Sequence, residues 1–357
     1  MSKKVLILHA YSAKNRGDGL LVEEALELIR ESLGQEAAIT MCASHPKSFA
    51  HLTGLEVVDS GLRRSGYDSD YLRTLRDIKS FDLVVGVGGG YLRAGYPMEL
   101  LKTALIHGPQ LAAAASRGKS VVYLPQSIGP LRYGTKAIAN KALQRLETVM
   151  LRDDRSIAEL HGVGIVRIPD VAALTVAGPD WQRIPDHTPV LSVRAVRGKL
   201  PEPVIELAKL VKYFDGYVQS STSGNDDHGA MNDLHPVRIL TNAELGDDTR
   251  PPRVVIAMRL HGALMALRSG HFVIHLAYER KGFGAFADLG LADFVHNSRS
   301  FDPAAVLQQA QALLNDPDAR RRYSELIRGT TTDRHGSRSG IIDALKNAVT
   351  VSGSPKK

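Results

Sequence analysis

Short apolar runs alternate with longer helix-like stretches through the first half of the chain. KVLIL (4–8), AAITM (37–41), LEVVD (55–59), DLVVGV (82–87), SVVYLP (120–125), ETVMLR (147–152) and IVRIP (165–169) have the length and β-branched content of strands. Between them, residues 18–33, 68–79, 97–117, 134–146 and 154–161 read as helices. The strand runs are continuously apolar rather than alternating, which is the pattern of parallel strands buried on both faces. Strand and helix in turn predict βαβ units and a doubly wound sheet.

Around AGPDWQRIPDHTP (177–189) the pattern breaks into prolines and polar residues, and a domain boundary is expected there. A second alternation follows: PVLSVR (189–194), a helix near 202–212, DGYVQS (215–220), RIL (238–240), RVVIAM (253–258), a helix near 262–269, FVIHLA (272–277), and helices near 302–328. The polar stretch 220–235 reads as a solvated loop or a frayed helix start, and SGSPKK at the C-terminus as a loose tail. The expected fold is α/β, with two Rossmann-like domains whose parallel sheets face a central cleft. They span residues 1–178 and 188–335, and a C-terminal helix and tail occupy 336–357.

Composition narrows the function. One cysteine, Cys42, in 357 residues builds neither an intrachain disulfide nor a thiolate-rich zinc site and fits a reducing compartment. The first apolar run is about five residues, far below the ~20 that span a bilayer, so a cytoplasmic protein is expected. The net charge is +7, but the basic residues are dispersed and aromatics make up only 6%, so nucleic acid is not the expected partner. A basic cleft that concentrates anions, with weak attraction to an anionic membrane surface, accounts for the charge.

In open parallel sheets ligands bind beyond the carboxyl ends of the strands, so the residues that follow each strand matter most. NRGDG (15–19), GGGYLR (88–93), QSIGP (126–130) and RDD (152–154) follow strands of the first half. In the second half the exits carry Arg194, then Arg259-Leu260-His261, then YERKG (278–282). Arg259 and His261, read as i and i+2 at a strand end, point the same way, and the helix that follows turns its N–H groups on the same spot. A guanidinium fork, an imidazole and a helix N-terminus suit a carboxylate or phosphate. The plainer alternative makes His261 a helix start and Arg259 a salt-bridge partner.

Several other positions stay open between structure and chemistry. Gly88, Gly89 and Gly90 form either a tight strand–helix turn or a ligand-binding nest, and they fit neither the dinucleotide fingerprint nor a P-loop. Asn15 and Asp18 flank a glycine at a helix start, where Asp18 serves equally as an N-cap. Arg152 precedes Asp153 and Asp154, the latter a natural cap, while Lys281 is either an exposed loop lysine or a ligand for an anion. Asn225-Asp226-Asp227-His228 lacks EF-hand spacing and no HExxH is present, so no metal and no cofactor are expected.

NRGDGLL, DLVVGVGGGYLR, LPQSIGPL, LRDDRS with PDVAAL, and IAMRLHGALMAL with AYERKGFG occur in the order of the motifs of the polysaccharide pyruvyl transferases, which this chain resembles over residues 5–295. The resemblance implies a two-domain fold like that of GT-B glycosyltransferases, with the C-terminal helix packing back on the N-terminal domain. It also implies transfer of pyruvate from phosphoenolpyruvate onto a sugar, as a ketal, in a cell-surface glycan or its lipid-linked precursor. By motif, Arg152, Arg194, Arg259 and Lys281 are implied donor-binding residues and His261 the catalytic acid/base. Asn15, Asp18, Gly88, Gly89, Gly90 and Gln126 fall on the acceptor or loop side. Partners implied are phosphoenolpyruvate and a sugar or lipid-linked oligosaccharide at the inner face of the membrane. Two departures stand out: GLL follows Asp18 where many members carry an acidic residue or alanine, and 220–235 matches no family segment. The competing readings are a GT-B nucleotide-sugar glycosyltransferase, for which only Glu279 offers a ribose-binding carboxylate, and a non-catalytic binder of anionic glycans.

Overall fold

A computed structural model describes residues 2–160, 162, 164–222 and 225–352. The chain divides into two compact units. The N-terminal unit holds the residues up to Ala13, Asp18–Val171 and the chain from Gly336 on; the C-terminal unit holds Lys14–Gly17 and Ala172–His335. The division at Val171/Ala172 lies before the proline-rich break. Segment 172–189 is fastened to C-terminal helices: Arg334 donates to the carbonyls of Ala173 and Val176, Ser324 to that of Pro179 at 2.9 Å, and Arg320 to that of Trp181 at 3.2 Å. Loop composition marked the break, while hydrogen bonding decided which unit it joins.

The N-terminal unit contains β1 (Lys4–Ala10), β2 (Ala38–Ala43), β3 (Leu55–Asp59), β4 (Leu83–Gly86), β5 (Gly89–Ala94), β6 (Val121–Leu131), β7 (Thr148–Leu151) and β8 (Ile165–Arg167). They pair in parallel in the order β3-β2-β1-β4-β6-β7-β8, and β5 lies along the far end of β6. Val5, Leu6, Ile7 and Leu8 of β1 are fully buried, as a central strand covered on both faces requires. Two expectations need correction here. GGGYLR is not a turn into a helix, because Gly89–Ala94 resumes the strand direction beside β6. QSIGPL does not follow a strand either; it is the second half of the eleven-residue β6. Glycine at 88 is required by close approach, since a Cβ there would stand 2.7 Å from the Pro125 carbonyl oxygen.

The C-terminal unit contains β9 (Val190–Ser192), β10 (Asp215–Tyr217), β11 (Ser221–Thr222), β12 (Asn225–Asp226), β13 (Ile239–Leu240), β14 (Val254–Ala257), β15 (Phe272–Ala277) and β16 (Val295–Asn297). Its sheet is parallel in the order β13-β10-β9-β14-β15-β16, and β11 and β12 form a separate antiparallel pair. Both sheets therefore follow the doubly wound order 3-2-1-4-5, reversing between their first and fourth strands. Two Rossmann-like α/β units are the result. Segment 220–235 is not a solvated loop: it supplies the β11–β12 pair and helix His228–Asn232. A final helix, Thr331–Ser352, brings Arg338 against Glu27 and Glu31 of the N-terminal unit at 2.8 and 2.7 Å. The remainder of the SGSPKK tail lies outside the described residues.

Candidate functional site

In the C-terminal unit the reversal point lies between β9 and β14. β14 ends at Ala257, Arg259 is still extended (φ −87°, ψ 126°), and helix Leu260–Arg268 begins at the next residue. Arg259 is thus the N-cap position and His261 lies in the first helical turn, so the two do not share a strand face as expected. Buried Leu260, Ala263, Leu264 and Leu267 pull the helix onto the sheet and end the strand early.

Arg259 is 7% exposed and grips Asp227 with both arms of its fork, Nε to Oδ2 at 2.5 Å and Nη2 to Oδ1 at 2.6 Å. Asp227 is 2% exposed, directly before helix His228–Asn232. Burial pushes its carboxyl above the ordinary aspartate value, opposed by the Arg259 guanidinium and more weakly by Arg194. Arg194, just past β9, donates to the Tyr278 hydroxyl at 2.8 Å with its guanidinium 4.6 Å from that ring's centre. Lys281 pairs with Glu279 at 2.8 Å. Glu279 is therefore engaged with a cation.

Behind these residues, His275 of β15 is held neutral. Burial lowers its pKa to about 4, against the hydrogen bond of Nδ1 to the Ala257 carbonyl at 2.8 Å, and Lys281 adds to the depression. The Lys14–Gly17 segment completes this half. Asn15 bridges to Ser220, and Arg16 reaches the Tyr217 hydroxyl at 3.2 Å. A Cβ on Gly17 would sit 2.4 Å from His261 Nδ1, so glycine here is the condition for the imidazole's position. Helix Arg16–Leu33 begins before Asp18, which makes Asp18 a first-turn residue and not the cap; the Asn15 side chain instead accepts from Gly17 N at 3.3 Å.

In the N-terminal unit the reversal point lies between β1 and β4. A pocket of about 320 Å³ opens there, lined by His9, Tyr11, Asp18, Gly88–Gly90, Tyr91, Lys102 and His107 among others. His9, next to last in β1, has φ 70°, an unusual backbone for a non-glycine residue. Its ring stacks on Tyr91 at 4.4 Å, approaches His107 Nδ1 at 3.2 Å and meets the Tyr123 hydroxyl at 2.8 Å. Burial, then the neighbouring His107, lowers the His9 pKa well below its ordinary value; burial, then Lys102, lowers that of His107 to about 4. Both rings are neutral at pH 7. The two imidazoles and the Tyr123 hydroxyl thus form one hydrogen-bonded chain, whose direction is set by the tautomers of the rings.

Arg152 directly follows β7, and Gln126 lies within β6, paired with Leu151. Arg152 is 4% exposed, forms an ion pair with buried Asp170 and donates Nε to Ser127 at 3.0 Å. Asp153, not Asp154, caps the helix that follows, accepting from Ser156 N at 2.9 Å. Gln126 is fully buried, and neither atom of its amide has a hydrogen-bond partner among the described residues. Among these residues, too, no three His, Cys, Asp or Glu side chains gather as a metal site.

Residues 15–280, more than half of the chain, match the polysaccharide pyruvyl transferase family. The chain belongs to that family. The fold of this transferase is the GT-B type, as its likeness to solved structures shows. A Listeria monocytogenes protein assigned as a UDP-N-acetylglucosamine 2-epimerase is 11% identical, with TM-score 0.60, covering 100% of this chain and 99% of that one. The α,α-trehalose 6-phosphate synthase of Burkholderia multivorans is 12% identical, with TM-score 0.55 over 99% and 100%. A glycosyltransferase of Rickettsia africae is 10% identical, with TM-score 0.53 over 98% and 96%. At these identities the likeness concerns fold alone. Among curated proteins the transferase has no significant match.

Sequence reasoning missed four groups in this transferase. Asp227 sits in a polar stretch that predicts a solvated residue, and its signal is that Arg259, once buried, demands a counter-charge. Asp170, inside PDVAAL, answers Arg152 for the same reason. Tyr278 had no signal beyond adjacency to the lysine motif. The His9–His107 pair lies 98 residues apart in sequence, and nothing local links the two.

Proposed function

We propose that this transferase moves the pyruvyl group of phosphoenolpyruvate onto two hydroxyls of a sugar, forming a pyruvate ketal in a cell-surface polysaccharide or its precursor. What supports this reading is the set of cations at the strand ends of the C-terminal unit: Arg194 just past β9, Arg259 held by Asp227 at the start of helix Leu260–Arg268, and Lys281. Phosphoenolpyruvate brings a carboxylate and a phosphate, and such a donor needs several fixed cations once removed from water. Arg194, Arg259 and Lys281 supply them at the strand ends of the C-terminal unit, and Arg152 is the fourth donor-binding residue of this reading. The N-terminal pocket, with neutral imidazoles, a tyrosine ring and carboxylates, suits an uncharged polyhydroxylated acceptor. The reading includes a cytoplasmic location.

In the reaction one sugar hydroxyl adds to C2 of the donor while C3 takes a proton. The C2–phosphate bond then breaks, and the second hydroxyl adds at C2. Of the two hydroxyl protons, one is taken up at C3 and the other leaves on the departing phosphate. His261 carries the proton; such transfer contributes on the order of 10²–10⁴-fold.

The test is incubation with phosphoenolpyruvate and a panel of sugars, following phosphate release and acid-labile pyruvate on the sugar. His261→Ala is expected to lose at least about 100-fold in turnover while keeping its melting temperature. Arg259→Ala would strand the Asp227 carboxylate, so Arg194→Met is the cleaner probe of donor affinity and is expected to raise KM for phosphoenolpyruvate. Full turnover by His261→Ala, or thermal stabilisation by a UDP- or GDP-sugar in place of phosphoenolpyruvate, overturns the reading.

A further inference from the structure

Among the described residues no helix is long and apolar enough to cross a membrane, yet one part of the N-terminal unit leaves large apolar side chains in water. Tyr96, Met98, Leu101, Leu105, Tyr133 and Ile138 are all exposed, Met98 at 73% and Ile138 at 69%. They cluster on two stretches, Tyr96–Leu105 and Tyr133–Ile138. Those stretches border one groove of about 310 Å³, whose walls include Leu92, Leu100, Leu111, Leu131, Ile138 and Ala142. Scattered single apolar residues on a surface are ordinary, whereas a cluster around an apolar groove marks an interaction site.

The charges around the groove identify the occupant. From Arg132 to Leu146 the chain carries Arg132, Lys136, Lys141 and Arg145 and no acidic residue. On the helix Thr135–Leu143, Lys141 stands one turn from Ile138 on the same side. On the facing stretch the acid is Glu99, which is engaged by Arg93 at 3.5 Å and by the Gly95 N–H at 3.0 Å. Exposed apolar and aromatic tips with cations beside them are the composition of an interfacial segment on anionic lipid. A second copy fits worse, because a two-fold contact through this face would set its cations against their own equivalents.

We propose that this face docks the transferase on an anionic bilayer, with Met98, Leu101 and Ile138 entering the acyl boundary and lipid methylenes filling the groove. The inference does not depend on the identity of the donor, since Met98, Leu101 and Ile138 do not line the pocket between β1 and β4 and are not among the cations of the C-terminal unit. It would set the enzyme beside lipid-linked acceptors.

The test is co-sedimentation of the full chain with phosphatidylglycerol/phosphatidylcholine vesicles and with phosphatidylcholine alone. Binding is expected to the anionic vesicles and to weaken in 0.5 M salt, taken as roughly three to four times the ordinary ionic strength. Arg132→Gln with Lys141→Gln is expected to lower the partition coefficient roughly tenfold or more, at about 1 kcal/mol per cation. Met98→Glu with Ile138→Glu is expected to abolish binding while leaving circular dichroism and the melting temperature unchanged, as exposed positions allow. Absence of vesicle binding by the wild-type chain, equal binding to both vesicle types, or undiminished binding by the Met98/Ile138 variant overturns the proposal. A wild-type dimer in light scattering that the same variant makes monomeric also overturns it, by assigning the face to a second copy.

Discussion

Asp227→Ala removes the partner of a guanidinium that has almost no access to water. Arg259 and Asp227 are 7% and 2% exposed, and their two contacts of 2.5 and 2.6 Å engage both arms of the fork. Exposure this low places the pair in the buried class, where removing one partner costs about 3–5 kcal/mol because the other charge is left uncompensated. For a domain of this size about 1 kcal/mol corresponds to about 2–4 °C, so a fall of roughly 6–20 °C is expected. The net worth of the pair is a separate quantity: burial opposes ionisation of Asp227, as the raised pKa of its carboxyl indicates. The double variant Asp227→Leu with Arg259→Met therefore should recover most of the loss, since an apolar pair of similar volume carries no desolvation cost. Urea unfolding and differential scanning calorimetry of the wild type, Asp227→Leu, Arg259→Met and the double variant form a complete cycle. If Asp227→Ala costs less than about 1 kcal/mol, or if the double variant is as unstable as the singles, the pair is not a buried charge compensation and the reasoning fails.

Two predictions concern other groups. His107 and His275 have folded pKa values lowered from 6.5 to about 4, so the unfolded chain binds more protons than the folded one between those values. Stability is then fully present above pH 6.5 and is lost as pH falls toward 4, on the order of 3 kcal/mol for each ring. Urea midpoints at pH 5 and 7.5 should show this, with a shallower dependence in His275→Asn; a pH-independent midpoint would contradict it. Gly17→Ala places a methyl group 2.4 Å from His261 Nδ1 and must displace the ring. Misplacement by about 1 Å costs roughly 100-fold in rate, so phosphate release should fall by that order and the His261 ring protons should shift in NMR spectra. Unchanged ring resonances would show that the close contact does not hold in solution.

The sites were legible in the sequence to the extent that local order encodes them. Arg259 and His261 could be found because they follow a strand run, and Arg194 and Lys281 for the same reason. Their orientation could not be found: the helix begins at Leu260, where apolar packing onto the sheet overrides the extended pattern. Asp227 in a polar stretch looked like a solvated residue, because burial of a charge depends on a cation 32 positions away.

By itself the sequence determined the alternation of β-branched runs and helices, and with it two parallel Rossmann-like units. That information is periodic and local, so the physical chemistry of each segment is enough to express it. The tertiary structure alone decided which strand end meets which partner: Gly17 against His261, Asp227 in the fork of Arg259, His9 beside His107, and Ile138 across a groove from Leu100. Those pairings arise when sheets close and bring distant residues into the same low-dielectric space, where an unmatched charge or polar atom is costly.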